Sequence, residues 1–361
     1  MTLEEKMVAN TQEIMDNELL LFDRIEKIKS INEQYDLENN AYIAFSGGKD
    51  STVLSYLIDL ALPNNTIPRV YKDTGIEYKQ VRTFVKKLCN KDNRFIYLKP
   101  DKNIKKTLNE VGYPFKSKQH SHNFSIYKNN IKLCESYKTI VINSKLMERI
   151  KAEKITEEDI KIIHDLPRGV KTFIKYYFGI RESEEYLLYS YKDCPKALQY
   201  QFTPEYATTH NYSDKCCLEF KKRILRKYEI ATNRYNACTG MRTEEGGNRA
   251  NLNCITNSLN GKHFNFLAPL NDNFMDWFIN KYNIQLCELY YPPYNFKRTG
   301  CLCCPYSLNL QQQLDTLKEY DKGTYKQAML LWKPIYEEYS NIGYRLNRYK
   351  HQLSIFDFIV K

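Results

Sequence analysis

The chain has 361 residues, 42% hydrophobic and 27% charged, with thirteen glycines and twelve prolines. This composition excludes collagen-like and low-complexity chains and leaves ample apolar material for a buried core. No run approaches the ~18 consecutive apolar residues of a membrane span, and the opening MTLEEKMVANTQ is polar, without the apolar stretch of a secretory signal. A soluble, cytoplasmic protein with no membrane partner is expected. Lys and Arg number 54 against 43 Asp and Glu, giving a formal charge of +11. Such a balance suits an anionic partner, nucleotide or nucleic acid, although a solvated lysine-rich surface carries the same charge. Thirty tyrosines could stack on single-stranded bases, but most are expected to pack in the interior. Eleven cysteines without an export signal point to thiols or metal ligands rather than disulfides.

Residues 1–39 read as helical, with Leu21, Ile25 and Ile28 on one face. The apolar run AYIAF from Ala41 then predicts a strand, SGGKDS a turn, and STVLSYLIDLAL a helix. RVYKDTG follows as a second strand ending in a turn, then a helix over 78–89 and a third strand, RFIYLKP. This βαβαβ series implies a parallel sheet with helices on both faces. The alternation stops between 117 and 213, where Thr156 before Glu157, Glu158 and Asp159 marks a helix start. That stretch reads as a largely helical insertion. KCCLEFKKRILRKYE predicts a helix, YNACTGMR and HFNFLAPL two further strands, and residues 272–284 a helix around Trp277. The tail is helical again. The expected organisation is therefore an N-terminal helical segment (1–39), a nucleotide-binding domain in two parts (40–116 and 214–305), the insertion (117–213) and a helical C-terminal region (306–361). His120 and His122 read as a solvated loop, and His164, His210, His263 and His351 are isolated.

Ser46, Gly47, Gly48, Lys49, Asp50 and Ser51 stand between the first strand and its helix, where backbone N–H groups and the helix dipole favour an anion. The glycines permit a tight turn and close approach of a phosphate, Lys49 adds positive charge, and the serines add hydroxyls. The pattern is not GxxxxGK[ST]. A bare GG turn would be an ordinary βα connection; six specified residues at a first βα junction favour an anion site.

This segment resembles the loop of the PP-loop ATP pyrophosphatases, which holds the pyrophosphate leaving ATP. Asp73, Thr74, Gly75, Ile76 and Glu77 resemble the DTG-x-E segment of the phosphoadenylylsulfate (PAPS) reductase branch, which lies beside the nucleotide. Gly112-Tyr113-Pro114 followed by Lys118, and Gly240-Met241-Arg242-Thr243-Glu244-Glu245 continuing to Arg249, are similar to the same branch. Gly246 stands where that family usually has Ser. The resemblance covers about 40–120 and 214–305. It implies a doubly wound, mainly parallel α/β fold of the HUP, adenine nucleotide alpha hydrolase-like class, with ATP and Mg²⁺ as cofactors. It also implies Lys49, Asp50 and Arg242 as catalytic residues, with Mg²⁺ near Asp50 or Asp73.

Cys216-Cys217 and Cys301-Leu302-Cys303-Cys304 are the dense thiol positions, and two residues between cysteines let both sulfurs face one metal. The pairing CC…CxxC resembles the 4Fe–4S site of adenylylsulfate-reducing relatives. Carried over, the ligands are Cys216, Cys217, Cys301 and Cys304, with Lys215, Lys221, Lys222 and Arg223 offsetting thiolate charge; structural zinc is the alternative. Family reductases attack with a cysteine near the carboxyl terminus, and this chain has none after Cys304. Cleavage of ATP to AMP and pyrophosphate, adenylating a substrate, is therefore favoured. A nucleic acid acceptor and a sulfur-donor protein are the partners that such chemistry implies. A sulfonucleotide reductase and a non-catalytic nucleotide- and cluster-binding sensor are the alternatives.

Overall fold

The computed structural model describes residues 3–99, 101–183, 185–190, 194–246 and 249–347. The segment HQLSIFDFIVK at 351–361, part of the expected C-terminal region, lies outside them. Eight strands occur among the described residues: β1 (Ala41–Phe45), β2 (Arg69–Lys72), β3 (Phe95–Leu98), β4 (Ile180–Glu182), β5 (Leu187–Tyr189), β6 (Asn236–Cys238), β7 (Ile255–Asn257) and β8 (Lys262–Phe264). The chain divides into two compact units. Of the described residues, the first takes those up to 101, then 220–303 and 312–328; the second takes those in 102–219, 304–311 and 329–347.

In the first unit six strands form one sheet in the order β3-β2-β1-β6-β8-β7. All neighbours are parallel except β7, which pairs antiparallel with β8 at the edge. Along β1 the pleat sends Ala41 and Ile43 into one core and Tyr42 and Ala44 into the other. A strand buried on both faces needs the continuous apolar run that its sequence shows. Helices Leu3–Tyr35, Lys49–Ala61 and Asp272–Lys281 close the first face with Ile28, Leu54, Leu57, Phe274 and Phe278. Tyr228, from helix Arg223–Thr232, covers the other face. This is the doubly wound α/β architecture. The chain leaves β1 on one side through β2 and β3 and comes back on its other side as β6. The sheet order therefore reverses between β1 and β6, and a crevice forms outside their carboxyl ends.

The second unit is mostly helical. Helices Lys118–Asn129, Ile131–Asn143 and Arg168–Phe178 pack around an aromatic core, in which Phe115 stacks on Tyr212 with centroids 4.6 Å apart. The helix Glu157–His164 starts as expected, Thr156 and Asp159 exchanging hydrogen bonds in a capping box. The hairpin β4–β5 was not anticipated, because each strand has only three residues. The expected solvated loop at His120 and His122 is corrected: both lie in a helix and His120 is fully buried. Its nitrogens meet the Tyr176 hydroxyl at 2.9 Å and the Gln201 side-chain oxygen at 2.8 Å, which compensates the burial of a polar ring. The helix predicted over KCCLEFKKRILRKYE begins with a π-turn at Leu218–Lys222 before Arg223–Thr232. No described helix is long and apolar enough to cross a membrane.

Candidate functional site

The crevice outside β1 and β6 holds a polar cavity of about 450 Å³, within the usual size of a small-molecule site. Ser46, Gly48, Asp50 and Ser51 line it from the glycine loop. The loop is held by its own serines: the Ser51 hydroxyl donates to the Gly48 carbonyl at 3.0 Å and accepts from the Ser46 N–H at 3.1 Å. Gly47 does not line the cavity; it makes the turn. Its φ is +72°, and a Cβ there would stand 2.9 Å from Val81 and 3.0 Å from Val85.

Gly240 lines the cavity from the turn after β6 and packs directly on the loop. A Cβ on Gly240 would lie 3.1 Å from the Asp50 carbonyl carbon, so any side chain there makes the loop backbone give by a few tenths of an ångström. Glu245 and Arg249 reach the same cavity and pair with each other, while Glu245 also meets Arg298 at 3.1 Å. Gly246, at the departure from the family pattern, closes the short helical turn Thr243–Glu245.

Arg242 is 4% exposed and does not line the cavity. Its guanidinium reaches Asp50 at 3.2 Å, Glu244 at 2.8 Å and Asp272 at 2.6 Å. Burial opposes its charge, but the Asp272 hydrogen bond and the Asp50 carboxylate outweigh that and hold its pKa up. Arg242, implied as catalytic, here clamps Asp50 from behind the cavity wall. Burial pushes the Asp50 carboxyl above its usual range, against the pull of Arg242 and Lys49.

In the DTG-x-E segment only Glu77 lines the cavity. Asp73 sits beneath the turn, accepting from the Gly75 N–H at 2.8 Å and Tyr97 at 2.5 Å, with Arg82 at 3.3 Å. Thr74 donates to Glu77 at 2.9 Å and so aims that carboxylate. Burial pushes Glu77 above the usual range, countered by Lys221 and the Thr74 bond. Lys49 points away from the main cavity. Its ammonium lies 3.3 Å from Asp276 and 3.9 Å from Asp272, and the side chain lines a neighbouring cavity.

Five cationic side chains face the main cavity: Lys72, Lys221, Arg249, Lys297 and Arg298. Against the carboxylates of Asp50, Glu77 and Glu245 they leave the cavity net positive. Lys297, Arg298, Thr299 and Tyr290 had no sequence signal beyond the basic pair in FKRTG; tertiary folding brings them there. Lys221, expected to offset thiolates, lines the cavity beside Glu77.

The carboxylates of Asp50 and Glu77 suit Mg²⁺, which binds through one or two carboxylates plus phosphate oxygens. The proposed cluster cysteines fall in both units. In the second unit the Tyr306 hydroxyl, raised mainly by burial, feels Cys216, Cys217 and Cys304 together. Cys301 belongs to the first unit, its backbone paired with Glu77. Among the described residues no group of three or more His, Cys, Asp or Glu is arranged to hold a metal ion. No catalytic step is assigned to a cluster. Cys303 is fully buried beside the Tyr78 hydroxyl, and burial pushes its thiol up to about 12. At neutral pH it is protonated and a poor nucleophile.

Residues 40–154 match the model of the phosphoadenosine phosphosulfate reductase domain. An uncharacterized protein of Methanocaldococcus jannaschii is 29% identical over 147 residues, which is 38% of this chain. The chain spans about a third (35%) of that relative's length. A crystal structure of phosphoadenylyl-sulfate (PAPS) reductase from Candida auris, a phosphate complex, superposes with a TM-score of 0.38 at 12% identity, covering 76% of this chain and 87% of that one. Residues 40–154 thus carry a domain of the phosphoadenosine phosphosulfate reductase type.

Proposed function

We propose that the chain is an ATP pyrophosphatase that binds ATP with Mg²⁺ in the main cavity and adenylates an acceptor. The observation carrying this reading is the convergence of the glycine loop, the Gly240 turn, Glu77 and five cationic side chains on one cavity at the sheet's switch point. An acceptor oxygen attacks the α-phosphorus, and the bond to the bridging oxygen breaks, its electron pair leaving with pyrophosphate. Loop N–H groups with Arg249, Lys297 and Arg298 stabilise the charge gathering on that leaving group. Asp50, oriented by Arg242, and Glu77, aimed by Thr74, are the carboxylates that would hold Mg²⁺, whose chemistry is to neutralise phosphate charge. Lys49 adds its charge once its ammonium leaves Asp276 and Asp272.

A nucleic acid acceptor receiving sulfur from a donor protein, with Cys216, Cys217, Cys301 and Cys304 holding a 4Fe–4S cluster, extends this reading. The net charge of +11 and the exposed Arg223, Arg226 and Lys227 on one helix support an anionic acceptor. Sulfonucleotide reduction is disfavoured by the buried, protonated Cys303. The test is incubation of anaerobically purified protein with α-labelled ATP and Mg²⁺, with and without nucleic acid. AMP or an adenylated product together with pyrophosphate is expected, and Lys49→Ala should abolish both. ADP and phosphate as the main products refute the proposal, and nucleotide binding without turnover favours a sensor.

A further inference from the structure

An anion at the glycine loop needs the backbone N–H groups at the start of the helix Lys49–Ala61, and one of them is already engaged. The Lys49 N–H donates to the Tyr290 hydroxyl at 2.9 Å, and that hydroxyl shares a 3.1 Å hydrogen bond with Thr299. Both hydroxyls lie over Gly48, where a Cβ would stand 3.2 Å from the Tyr290 oxygen and 3.1 Å from that of Thr299. A neutral phenol oxygen thus occupies a donor that the helix dipole makes most useful to a phosphate.

Tyr290 also lies between two spaces. It lines the main cavity and a second one of about 470 Å³, whose wall includes Lys49, Asp276, Asn280 and Leu286. Lys297 is shared by both as well. The second cavity is large enough to take a tyrosine side chain.

Building on the phosphate-binding reading of the loop, we infer that Tyr290 is an internal latch. Without nucleotide its hydroxyl holds the Lys49 N–H. Pyrophosphate displaces the hydroxyl, and the ring swings into the second cavity. Lys49 lines that cavity, so the swing disturbs its contact with Asp276 and frees the ammonium for the phosphate. The latch lowers apparent affinity by the fraction of molecules in which it is closed. It makes Tyr290 a residue that sets phosphate affinity, not a group that touches the reacting atoms.

The test is calorimetric titration of the full chain with inorganic pyrophosphate. Tyr290→Phe keeps the ring and removes the hydroxyl, so binding should tighten about three- to tenfold, the worth of one hydrogen bond. Asn280→Trp, an exposed helix position, fills the second cavity and should weaken binding several-fold. Equal or weaker binding by Tyr290→Phe overturns the latch, since the hydroxyl would then serve the ligand. Unchanged affinity in Asn280→Trp overturns the swing into the second cavity. No binding by the wild type or either variant refutes the phosphate-binding reading itself.

Discussion

Replacing His120 with glutamine, which cannot take up a proton, should remove a defined part of the second unit's sensitivity to acid. The His120 ring is 0% exposed, and both nitrogens face uncharged partners, the Tyr176 hydroxyl and the Gln201 oxygen. Burial pushes its pKa down from 6.5 to about 3; the Gln201 bond opposes the shift and Lys116 adds to it. The unfolded chain therefore takes up a proton near pH 6.5, while the folded chain stays neutral until far lower. Stability from this group is fully present above the unfolded value and is lost as pH falls from about 6.5 towards 3. Between ~pH 7.5 and ~pH 5.5 the loss is about 1.4 kcal/mol, one pKa unit's worth of proton uptake by the unfolded state. Of the two tryptophans, Trp332 belongs to the second unit and is 1% exposed, whereas Trp277 belongs to the first. Urea titrations in a Trp277→Phe background, followed by Trp332 fluorescence, report the second unit. His120→Gln should be less stable at ~pH 7.5 because its hydrogen bonds change, yet lose about 1.4 kcal/mol less on acidification. Equal pH dependence in the two chains would refute the assignment of a buried, neutral His120.

Three further outcomes are expected. Gly240→Val places a Cβ within about 3.1 Å of the Asp50 backbone, so turnover of ATP to AMP should fall more than tenfold at a stability cost of about 1–3 kcal/mol; unchanged turnover would show that the loop does not need this approach. Anaerobically prepared protein should hold about four irons and four sulfides per chain, lost on Cys216→Ser, Cys217→Ser, Cys301→Ser or Cys304→Ser but retained in Cys89→Ser. Stoichiometric zinc without iron, from iron-replete and oxygen-free culture, would replace the cluster with a zinc site. With thioredoxin and PAPS or adenylylsulfate the protein should release no sulfite, because Cys303 is buried and protonated; release that disappears in Cys303→Ser would make it a reductase with a relocated nucleophile.

Local chemistry carried the sequence a long way in the first unit. AYIAF is apolar at every position because a strand covered on both faces has no side for polar residues, and it marks β1 directly. The glycine loop was equally plain, since Gly47 answers a backbone demand that the residue type itself records. The short β7 escaped notice because a three-residue edge strand has too few positions for a period.

Residue roles were decided by contacts far apart in the chain. Arg242 and Asp50 are separated by 192 positions, and no local pattern says that the guanidinium would clamp the carboxylate instead of facing the cavity. Lys49 and Asp276, 227 positions apart, turn the loop lysine towards a second cavity for the same reason. His120 reads as solvated because Lys118, Ser117 and Ser121 are its neighbours; Tyr176 and Gln201, 56 and 81 positions away, provide the partners that let it be buried. Sequence alone determined the strand–loop–helix frame, because hydrophobic period and glycine geometry act over a few residues. Tertiary structure decided which charges face the cavity, because a long ionic side chain goes to whichever partner the fold brings within reach.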